Sequence, residues 1–240
     1  MRIKVDLIRI SKCNEISINY GYKLYAALIN TISRSSEEVA KNLHNTKKYK
    51  HFTFSLLQIP KREIIGDRIR ILGRKAYFYA SSPNDDLIEE LIKGLLIEQQ
   101  IMLDRLLLAV KKIRLYNPIE FEEKPYTFST LSPIILRTLN DSKETRYLYI
   151  VDYEFPEKIR ENLIRRYTAF YGHPPENDKF DITDVILFKP VKYIIKDIHH
   201  RGSRAIFQVE GSPELLKFAY ESGLGEKTAM GFGMVKIKSN

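Results

Sequence analysis

The segment GLGEKTAMGFGMV, residues 223–235, contains four of the 11 glycines of the chain, arranged as two Gly-hydrophobic-Gly groups separated by five residues. Because glycine permits positive φ and carries no side chain, such a segment can bring backbone N–H groups close to a phosphate. It lies between a predicted helix, Pro213–Ser222, and a predicted last strand, Gly231–Lys238. Nucleotide-binding glycine loops instead follow a strand and open a helix. The segment is therefore either a phosphate-contacting loop of another kind or a glycine hairpin that lets two elements pack.

In the second half of the chain, strand and helix patterns precede this glycine segment. In chain order they are strands over residues 126–139 and 146–152, a helix over residues 156–171, and strands over residues 185–195 and 205–211. The turn signal Asn140-Asp141-Ser142 predicts a hairpin between the first two strands, and Arg201-Gly202 predicts the turn between the last two.

The first half shows the same order of elements. It has a strand over residues 2–10, helices over residues 22–32 and from Ser35 or Ser36 onward, strands over residues 52–59 and 76–81, a helix from Pro83 to about Leu96, and a strand over residues 106–115. The order βα(α)ββαβ is the split βαβ arrangement of a ferredoxin-like fold. Asn117-Pro118 and the acidic, proline-containing residues 120–125 are typical of a boundary. We therefore predict an α+β protein with two tandem ferredoxin-like (βαββαβ) domains, residues 1–120 and 121–240.

The composition excludes several classes of protein. With one cysteine, Cys13, the 240-residue chain cannot form a disulfide framework or a cysteine zinc site, and its five histidines show no metal-ligand spacing. The N-terminus does not have the layout of a signal peptide, and no apolar run approaches the ~20 residues of a membrane span. We expect a cytoplasmic protein without a membrane segment, a metal or a cofactor.

The charge of the chain indicates a polyanionic partner. Lys and Arg number 39 against 30 Asp and Glu, a formal net charge of +9, and residues 34–75 alone contain 11 basic and 4 acidic residues. Such a surplus attracts phosphates, although lysines also simply keep a protein soluble. The 15 tyrosines and 12 phenylalanines offer faces for base stacking. Most of these rings fall at strand spacing, which predicts that they belong to the core.

The glycine segment and the alternating hydrophobic residues after it resemble the C-terminal signature of the RAMP superfamily. Phe52-Thr53-Phe54-Ser55 after the basic helix, and Phe128-Ser129-Thr130-Leu131-Ser132-Pro133 at the start of the second half, add to this resemblance. Together with the length and the tandem ferredoxin-like order, they make the chain similar to the sixth family of CRISPR-associated proteins. That family contains endoribonucleases that cut precursor CRISPR RNA within its repeats.

The resemblance implies a partner, a reaction and a binding surface. The partner is CRISPR repeat RNA, with other CRISPR-associated proteins and a homodimer compatible with the family. The reaction is metal-independent attack of a ribose 2′-hydroxyl on the adjacent phosphate, leaving a 2′,3′-cyclic phosphate and a 5′-hydroxyl. Binding is expected at the basic face and at the glycine segment, with these RNA-contacting residues: Lys47, Lys48, Gly223, Gly225, Lys227, Gly231 and Gly233.

The resemblance also assigns the catalytic residues. The family histidine follows a leucine at the end of the second helix, which matches His44, and the family lysine precedes the Phe-Thr-aromatic-Ser strand, which matches Lys50. The position of the family tyrosine in the first helix holds Ile29, although Tyr25, one helical turn earlier, could substitute. A histidine at a helix C-terminus is also a favourable dipole partner. Lys50 could equally belong to a phosphate-binding cluster.

The other histidines have simpler interpretations. If Phe52 and Phe54 point into the core, period-two alternation sends His51, Thr53 and Ser55 to the opposite face. The pair His199-His200 is predicted to be structural or to contact RNA, and His173 is predicted to be a loop residue.

Two alternatives to an active nuclease stay open. The absent tyrosine could mark a paralogue that binds repeat RNA without cutting it. RAMP subunits of CRISPR interference complexes also share the glycine segment.

Overall fold

The computed structural model describes residues 1–45, 49–140, 142–195 and 197–238, with the side chains of His44 and Asn45 excluded. By its internal contacts the chain divides into two compact units. The first contains residues 1–50 and 55–117, and the second contains residues 51–54 and 118–240. Lys47 and Lys48, both predicted to bind RNA, lie outside the described residues, and so does the side chain of His44.

The elements up to residue 117 follow the predicted order with additions. They are β1 Arg2–Arg9, β2 Glu15–Ser17, α1 Gly21–Ser35, α2 Glu37–Asn45, β3 Thr53–Phe54, β4 Arg62–Ile65, β5 Arg68–Ile71, β6 Lys75–Ser81, α3 Asp85–Glu98, β7 Gln100–Leu103 and β8 Leu106–Tyr116. The small sheet β2-β5-β4 was not predicted. Its strands are too short, and β4 too exposed, to give a clear alternation.

The main sheet of the first unit has the strand order of a ferredoxin-like fold. β1 pairs antiparallel with β6 on one side and with β8 on the other, and β7 extends the sheet beyond β8. Residues 55–58 run beside β6, where the Gln58 N–H donates to the Tyr77 carbonyl at 2.7 Å. Ile3, Val5 and Leu7 of β1 are buried, as the alternation of the sequence predicts.

The prediction of a one-sided strand over residues 52–59 is wrong. The regular strand contains only Thr53 and Phe54, and the polar Thr53 and Ser55 are as fully buried as the phenylalanines beside them. Both polar side chains have backbone partners. The Thr53 hydroxyl donates to the Phe232 carbonyl at 2.9 Å, and the Ser55 hydroxyl accepts the Tyr79 N–H at 2.9 Å. Hydrogen bonds of this kind compensate for the cost of burying a hydroxyl.

The second unit is built in the same order. Its elements are β9 Tyr126–Thr130, β10 Leu136–Leu139, β11 Thr145–Leu148, α4 Phe155–Tyr171, β12 Phe180–Ile195, β13 Ile198–Gly211, α5 Pro213–Ser222 and β14 Val235–Ile237. The strands lie in the antiparallel order β12-β13-β9-β14, the ferredoxin-like order again. Phenylalanines from both central strands and both helices form its core. The predicted α+β fold of two tandem ferredoxin-like domains is confirmed.

Two local predictions in this unit need correction. Residues 126–139 do not form one strand, because β9 joins the main sheet whereas β10 pairs only with β11, in the predicted hairpin. The turn predicted at Arg201-Gly202 is wrong, since the last pair of the β12–β13 hairpin is Ile195 and Ile198, and Gly202 lies within β13. A Cβ at Gly202 would stand 2.5 Å from the Ile134 carbonyl oxygen. This glycine therefore allows a close backbone approach and does not mark a turn.

No helix within the described ranges is both long and apolar enough to cross a membrane.

Candidate functional site

The junction of α1 and α2 positions the predicted catalytic histidine. The Val39 N–H donates to the Ser36 hydroxyl at 3.2 Å, so Ser36 caps the start of α2. Glu37 and Glu38 lie in the first turn, where carboxylates stabilise the positive end of the helix dipole. With this start and with its last residue at Asn45, α2 contains His44 as its penultimate residue.

Lys50 contacts a phenol in the same unit. Its ammonium donates to the Tyr25 hydroxyl at 3.2 Å, and Nζ lies 5.7 Å from the centre of the Tyr25 ring. Both side chains are partly exposed, so a substrate can reach them. An ammonium and a phenol in hydrogen-bonding contact can together stabilise a developing phosphate charge and supply a proton.

The outer face of α1 explains why Tyr25 reaches this position. Leu24, Leu28 and Ile32 fall at helical spacing and are buried, which turns Tyr25 and Ile29 towards the partly exposed side. The two residues lie one helical turn apart on this side. Tyr25, the candidate substitute for the tyrosine that Ile29 replaces, is therefore a phenol that contacts the predicted lysine.

His51, beside Lys50 in sequence, belongs to the second unit and has a different environment. Its ring lies 5.0 Å from the Phe170 ring and 5.9 Å from the Phe218 ring, measured between centroids. Burial, and secondly the charge of Arg166, lower the pKa of His51 to about 4. The imidazole is therefore neutral near pH 7 and packs as an aromatic ring.

This environment makes stability depend on pH. The histidine of the unfolded chain takes up a proton near pH 6.5, whereas His51 in the folded chain does so only near pH 4. Since the unfolded state then binds more protons between these values, the free energy of unfolding decreases as the pH falls from 6.5 towards 4. Urea unfolding at pH 7 and pH 5 should show a smaller decrease for His51→Gln than for the wild type. His173→Gln, which changes an exposed loop histidine, is the control, and an equal decrease in all three proteins would contradict this prediction.

The four glycines of residues 223–233 have a packing role. All are buried, and all have positive φ, between 72° and 83°. A Cβ would lie 2.3 Å from the Ile135 carbonyl oxygen at Gly225, 2.4 Å from the Phe54 ring at Gly231 and 1.9 Å from the Leu224 carbonyl oxygen at Gly233. Of the two interpretations that the sequence left open, this geometry supports the packed glycine hairpin. Buried glycines offer little surface to RNA, so direct contact at these four positions is not supported by the geometry.

A buried arginine, which the sequence analysis missed, holds the start of this segment. Arg166 of α4 is 2% exposed and donates to the carbonyls of Ser222 and Gly223, both at 2.7 Å. These carbonyls end α5, where positive charge is favourable. The signal was present in the sequence, because Arg166 falls in register with the buried Ile159 and Leu163 on the apolar stripe of α4.

Lys227, within the glycine segment, lies in a cluster of charged residues. Burial, and secondly the charge of Arg137, lower the pKa of Lys227, and Glu226 opposes this effect. The Arg137 guanidinium contacts the Glu226 carboxylate at 2.5 Å. The Lys227 ammonium is half-buried, and the neighbouring Arg137 guanidinium has one carboxylate partner, Glu226. Together these three groups leave net positive charge at this loop. Such a site favours an anion.

The remaining histidines are placed as follows. His200 is 3% exposed, and its Nδ1 lies 2.9 Å from the Tyr147 hydroxyl, so this member of the His199-His200 pair is structural. His199 is exposed on β13 and His173 lies in an exposed loop, as predicted for His173. In the described part of the chain, no group of three or more His, Cys, Asp or Glu side chains is arranged to hold a metal ion.

Comparison with known families matches nearly the whole chain. Residues 15–114 match the model described as CRISPR-associated protein Cas6, N-terminal, and residues 116–237 match the model described as CRISPR associated protein Cas6, C-terminal. The first matched range ends at residue 114 and the second begins at residue 116, close to Asn117, where the first structural unit ends.

Individual relatives match this chain over almost its full length. CRISPR-associated endoribonuclease Cas6 1 of Methanocaldococcus jannaschii is 38% identical over 98% of this chain and 92% of its own length. A Pyrococcus furiosus protein described as a CRISPR-associated endoribonuclease-like protein Cas6 is 36% identical over 99% of this chain and 98% of its own length. A solved structure described as an RAMP protein binding different RNA substrates superposes with a TM-score of 0.89 at 32% identity, covering 100% of both chains. The chain belongs to the Cas6 family of CRISPR-associated proteins.

Proposed function

We propose that this protein is an endoribonuclease that cleaves precursor CRISPR RNA within its repeats without a metal ion, using His44, Lys50 and Tyr25. The observation that carries the assignment is the contact of Lys50 with Tyr25 in a chain of the Cas6 family. The lysine that the family resemblance selected lies against the phenol that could replace the missing one. The amino-terminal domain thus holds the cleavage site, and the carboxy-terminal domain contributes to RNA binding.

The proposed reaction is an internal transesterification. The 2′-oxygen attacks the adjacent phosphorus in line while a base removes the 2′-hydroxyl proton. The bond from phosphorus to the 5′-oxygen breaks, and that oxygen takes up a proton from an acid. The products are a 2′,3′-cyclic phosphate and a 5′-hydroxyl. An imidazole can serve as base or acid near neutral pH.

Lys50, held by Tyr25, stabilises the negative charge that develops during the reaction. Two negative charges build up on the oxygens around phosphorus in the transition state, and a fixed ammonium stabilises them without any metal. The hydrogen bond to Tyr25 restricts the flexible side chain of Lys50 to one region of space. A positioned ammonium is more effective than a freely moving one, because less ordering is needed during the reaction.

RNA binding is proposed to involve Lys47 and Lys48 and the charged cluster of the second unit. Lys227 and Arg137 supply positive charge there, and the packed glycines hold the loop that carries Lys227 in one conformation. We therefore assign phosphate contact in this segment to the Lys227 side chain and conformational support to Gly223, Gly225, Gly231 and Gly233.

The experiment that tests the proposed function uses end-labelled repeat RNA in excess chelator. We expect cleavage at one position within the repeat, with a 2′,3′-cyclic phosphate on the upstream product. A substrate that carries a 2′-deoxyribose immediately before the scissile phosphate should remain intact, because it lacks the attacking hydroxyl. Failure of the chelated wild-type enzyme to cut the ribose substrate would contradict the proposal.

A second candidate function is repeat-RNA binding without cleavage. Ile29 favours it, because an alkyl side chain stands where the family carries a phenol. The same assay separates the two candidates: a binding protein shifts the mobility of labelled repeat RNA at nanomolar concentration, and the RNA is recovered intact after long incubation.

Lys47 and Lys48 are expected to contribute binding through phosphates. Replacing both with glutamine should weaken binding of repeat RNA and of unrelated RNA alike, because phosphate contacts carry no sequence information. The slope of log K against log salt should become shallower by about 1.4 for two lost single-strand contacts. Lys41→Gln, which removes an exposed lysine already paired with Glu37 at 2.9 Å, is the matched control. Unchanged affinity in the double variant would show that the two lysines only increase solubility.

A further inference from the structure

The main sheet of the first unit has one face that its own core does not use. On β6 the small or apolar Ala76, Phe78 and Ala80 are buried, whereas Tyr77 and Tyr79 between them point the opposite way and are partly exposed. The strand therefore carries tyrosines at positions i and i+2 on a single face. These two rings are therefore exceptions to the expectation that most aromatic rings belong to the core.

Neighbouring strands add a third ring and two cations to this face. Arg2 and Lys4 of β1 lie between β6 and β8, with Lys4 opposite Tyr79 on one side and Arg2 opposite Tyr116 on the other. Tyr116 is 42% exposed. We call this surface the tyrosine face, formed by Arg2, Lys4, Tyr77, Tyr79 and Tyr116.

The five side chains form one connected layer. The Tyr79 ring centroid lies 5.9 Å from that of Tyr77 and 6.1 Å from that of Tyr116. Lys4 Nζ lies 4.0 Å from the centre of the Tyr77 ring, and Arg2 Cζ lies 5.8 Å from the centre of the Tyr79 ring. Cations so close to the rings limit their movement and add positive potential at the ring faces.

The charge around the tyrosine face favours a polyanion. Asp6, also on β1, is bound by Lys4 at 3.2 Å and by Arg114 at 2.6 Å, so its charge is neutralised by two partners. Burial, and secondly the neighbouring Tyr116, raise the pKa of Tyr79 to about 12. A tyrosine phenol is already uncharged at neutral pH, and this environment keeps it so, with the result that the ring does not repel phosphates.

We propose that the tyrosine face is a stacking platform for unpaired bases, which holds a single-stranded segment of the RNA substrate. Aromatic side chains on the central strands of a four-stranded antiparallel sheet can stack two or three bases of single-stranded RNA. The neighbouring Lys4 and Arg114 are placed to attract the connecting phosphates. Arg2 is only 5% exposed and supports the Tyr79 ring from within the layer. Bases in a duplex are stacked on one another, so the platform discriminates single-stranded from double-stranded RNA. The inference rests on the proposed function only for the identity of the nucleic acid.

The test measures binding by the full-length protein and is independent of cleavage. Repeat RNA with 2′-O-methyl sugars cannot be cut by 2′-hydroxyl attack, and 2-aminopurine at successive positions reports stacking by a loss of fluorescence. We expect the double variant Tyr77→Leu, Tyr79→Leu to bind the single strand at least tenfold more weakly, since stacking on an aromatic ring contributes roughly tenfold in affinity per base. The salt slope should not change, because no cation is removed. Tyr77→Phe, Tyr79→Phe should bind as the wild type does.

A control variant and a crosslinking measurement complete the test of the stacking platform. Tyr153→Leu removes a tyrosine that is 99% exposed, and it should leave affinity unchanged. RNA carrying 5-iodouridine, crosslinked to the wild-type protein, should attach to peptides containing β6 or β8, a result that needs no variant to fold. Wild-type affinity in the leucine variant, or an equal loss of affinity for a fully paired duplex, would overturn the inference even if the enzyme cleaves its substrate. Conversely, stacking without cleavage would overturn only the proposed function.

Discussion

Replacing His44 with alanine is expected to slow cleavage of repeat RNA by roughly 100- to 10,000-fold, the usual contribution of a general acid or base. Lys50→Ala is expected to reduce the rate by on the order of 100- to 1,000-fold, because the transition state then loses its fixed positive charge. The measurement is the single-turnover rate at saturating enzyme, which separates the chemical step from binding. A variant that only binds RNA more weakly therefore reaches the wild-type cleavage rate once its own concentration is high enough to saturate the RNA.

Matched substitutions show whether these losses are specific. His173→Ala removes an exposed loop histidine, and Lys41→Ala removes an exposed lysine of α2, so both should cleave at the wild-type rate. Tyr25→Phe keeps the ring over which Lys50 lies but removes the oxygen that accepts its hydrogen bond. A partial loss in this variant would identify Tyr25 as the substitute for the family tyrosine. Wild-type single-turnover rates for both His44→Ala and Lys50→Ala would contradict the assignment of the site.

Replacing Gly233 with valine is expected to destabilise the protein by about 2–5 kcal/mol. Left-handed backbone costs a side-chain-bearing residue roughly 1–2 kcal/mol, and forcing extra atoms into a packed region costs typically 1–3 kcal/mol. Gly233 has φ of 72°, and its Cβ would stand 1.9 Å from the Leu224 carbonyl oxygen, a backbone atom that cannot rotate away. A loss of this size is a large part of the ~5–15 kcal/mol that a domain usually has. Chemical denaturation followed by circular dichroism measures it.

Gly172→Val separates the two causes of this loss. Gly172 ends α4 with φ of 81°, but no atom lies within 4 Å of its Cβ position. The variant should therefore lose only the backbone cost of about 1–2 kcal/mol. If Gly172→Val and Gly233→Val are destabilised equally, the close contact with Leu224 is unimportant. If Gly233→Val is as stable as the wild type but binds RNA weakly, the glycine segment contacts RNA directly and the packing role is wrong.

The sequence predicted the elements well wherever burial was one-sided. The alternation of Ile3, Val5 and Leu7 correctly gave β1, and helical spacing correctly gave α1, α3, α4 and α5. The predictions failed for segments that are buried on both faces, because there a distant part of the chain packs against the face that was expected to be exposed. Thr53 is buried because it bonds to Phe232, and Gly202 is a glycine because Ile134 lies against it. Neither partner is visible in the local pattern.

For the candidate site too, the sequence identified individual residues, whereas their contacts required the folded structure. The motif resemblance selected His44 and Lys50, but the contact of Lys50 with Tyr25 joins residues 25 positions apart and needed the fold. Arg166 could have been found as an arginine on an apolar helical stripe, whereas its role at the end of α5 could not.

By itself, the order of hydrophobic and polar residues determined the two ferredoxin-like halves, and the spacing of the glycines indicated the family. Both are local properties, written in the period of a strand or helix and in the backbone freedom of individual residues. Only the tertiary structure decided that the glycines pack against neighbouring backbone and side chains, that Lys50 meets a phenol, and that Tyr77, Tyr79 and Tyr116 share a partly exposed face. Those facts depend on which distant residues the folded chain brings together, and local periodicity carries no information about such pairs.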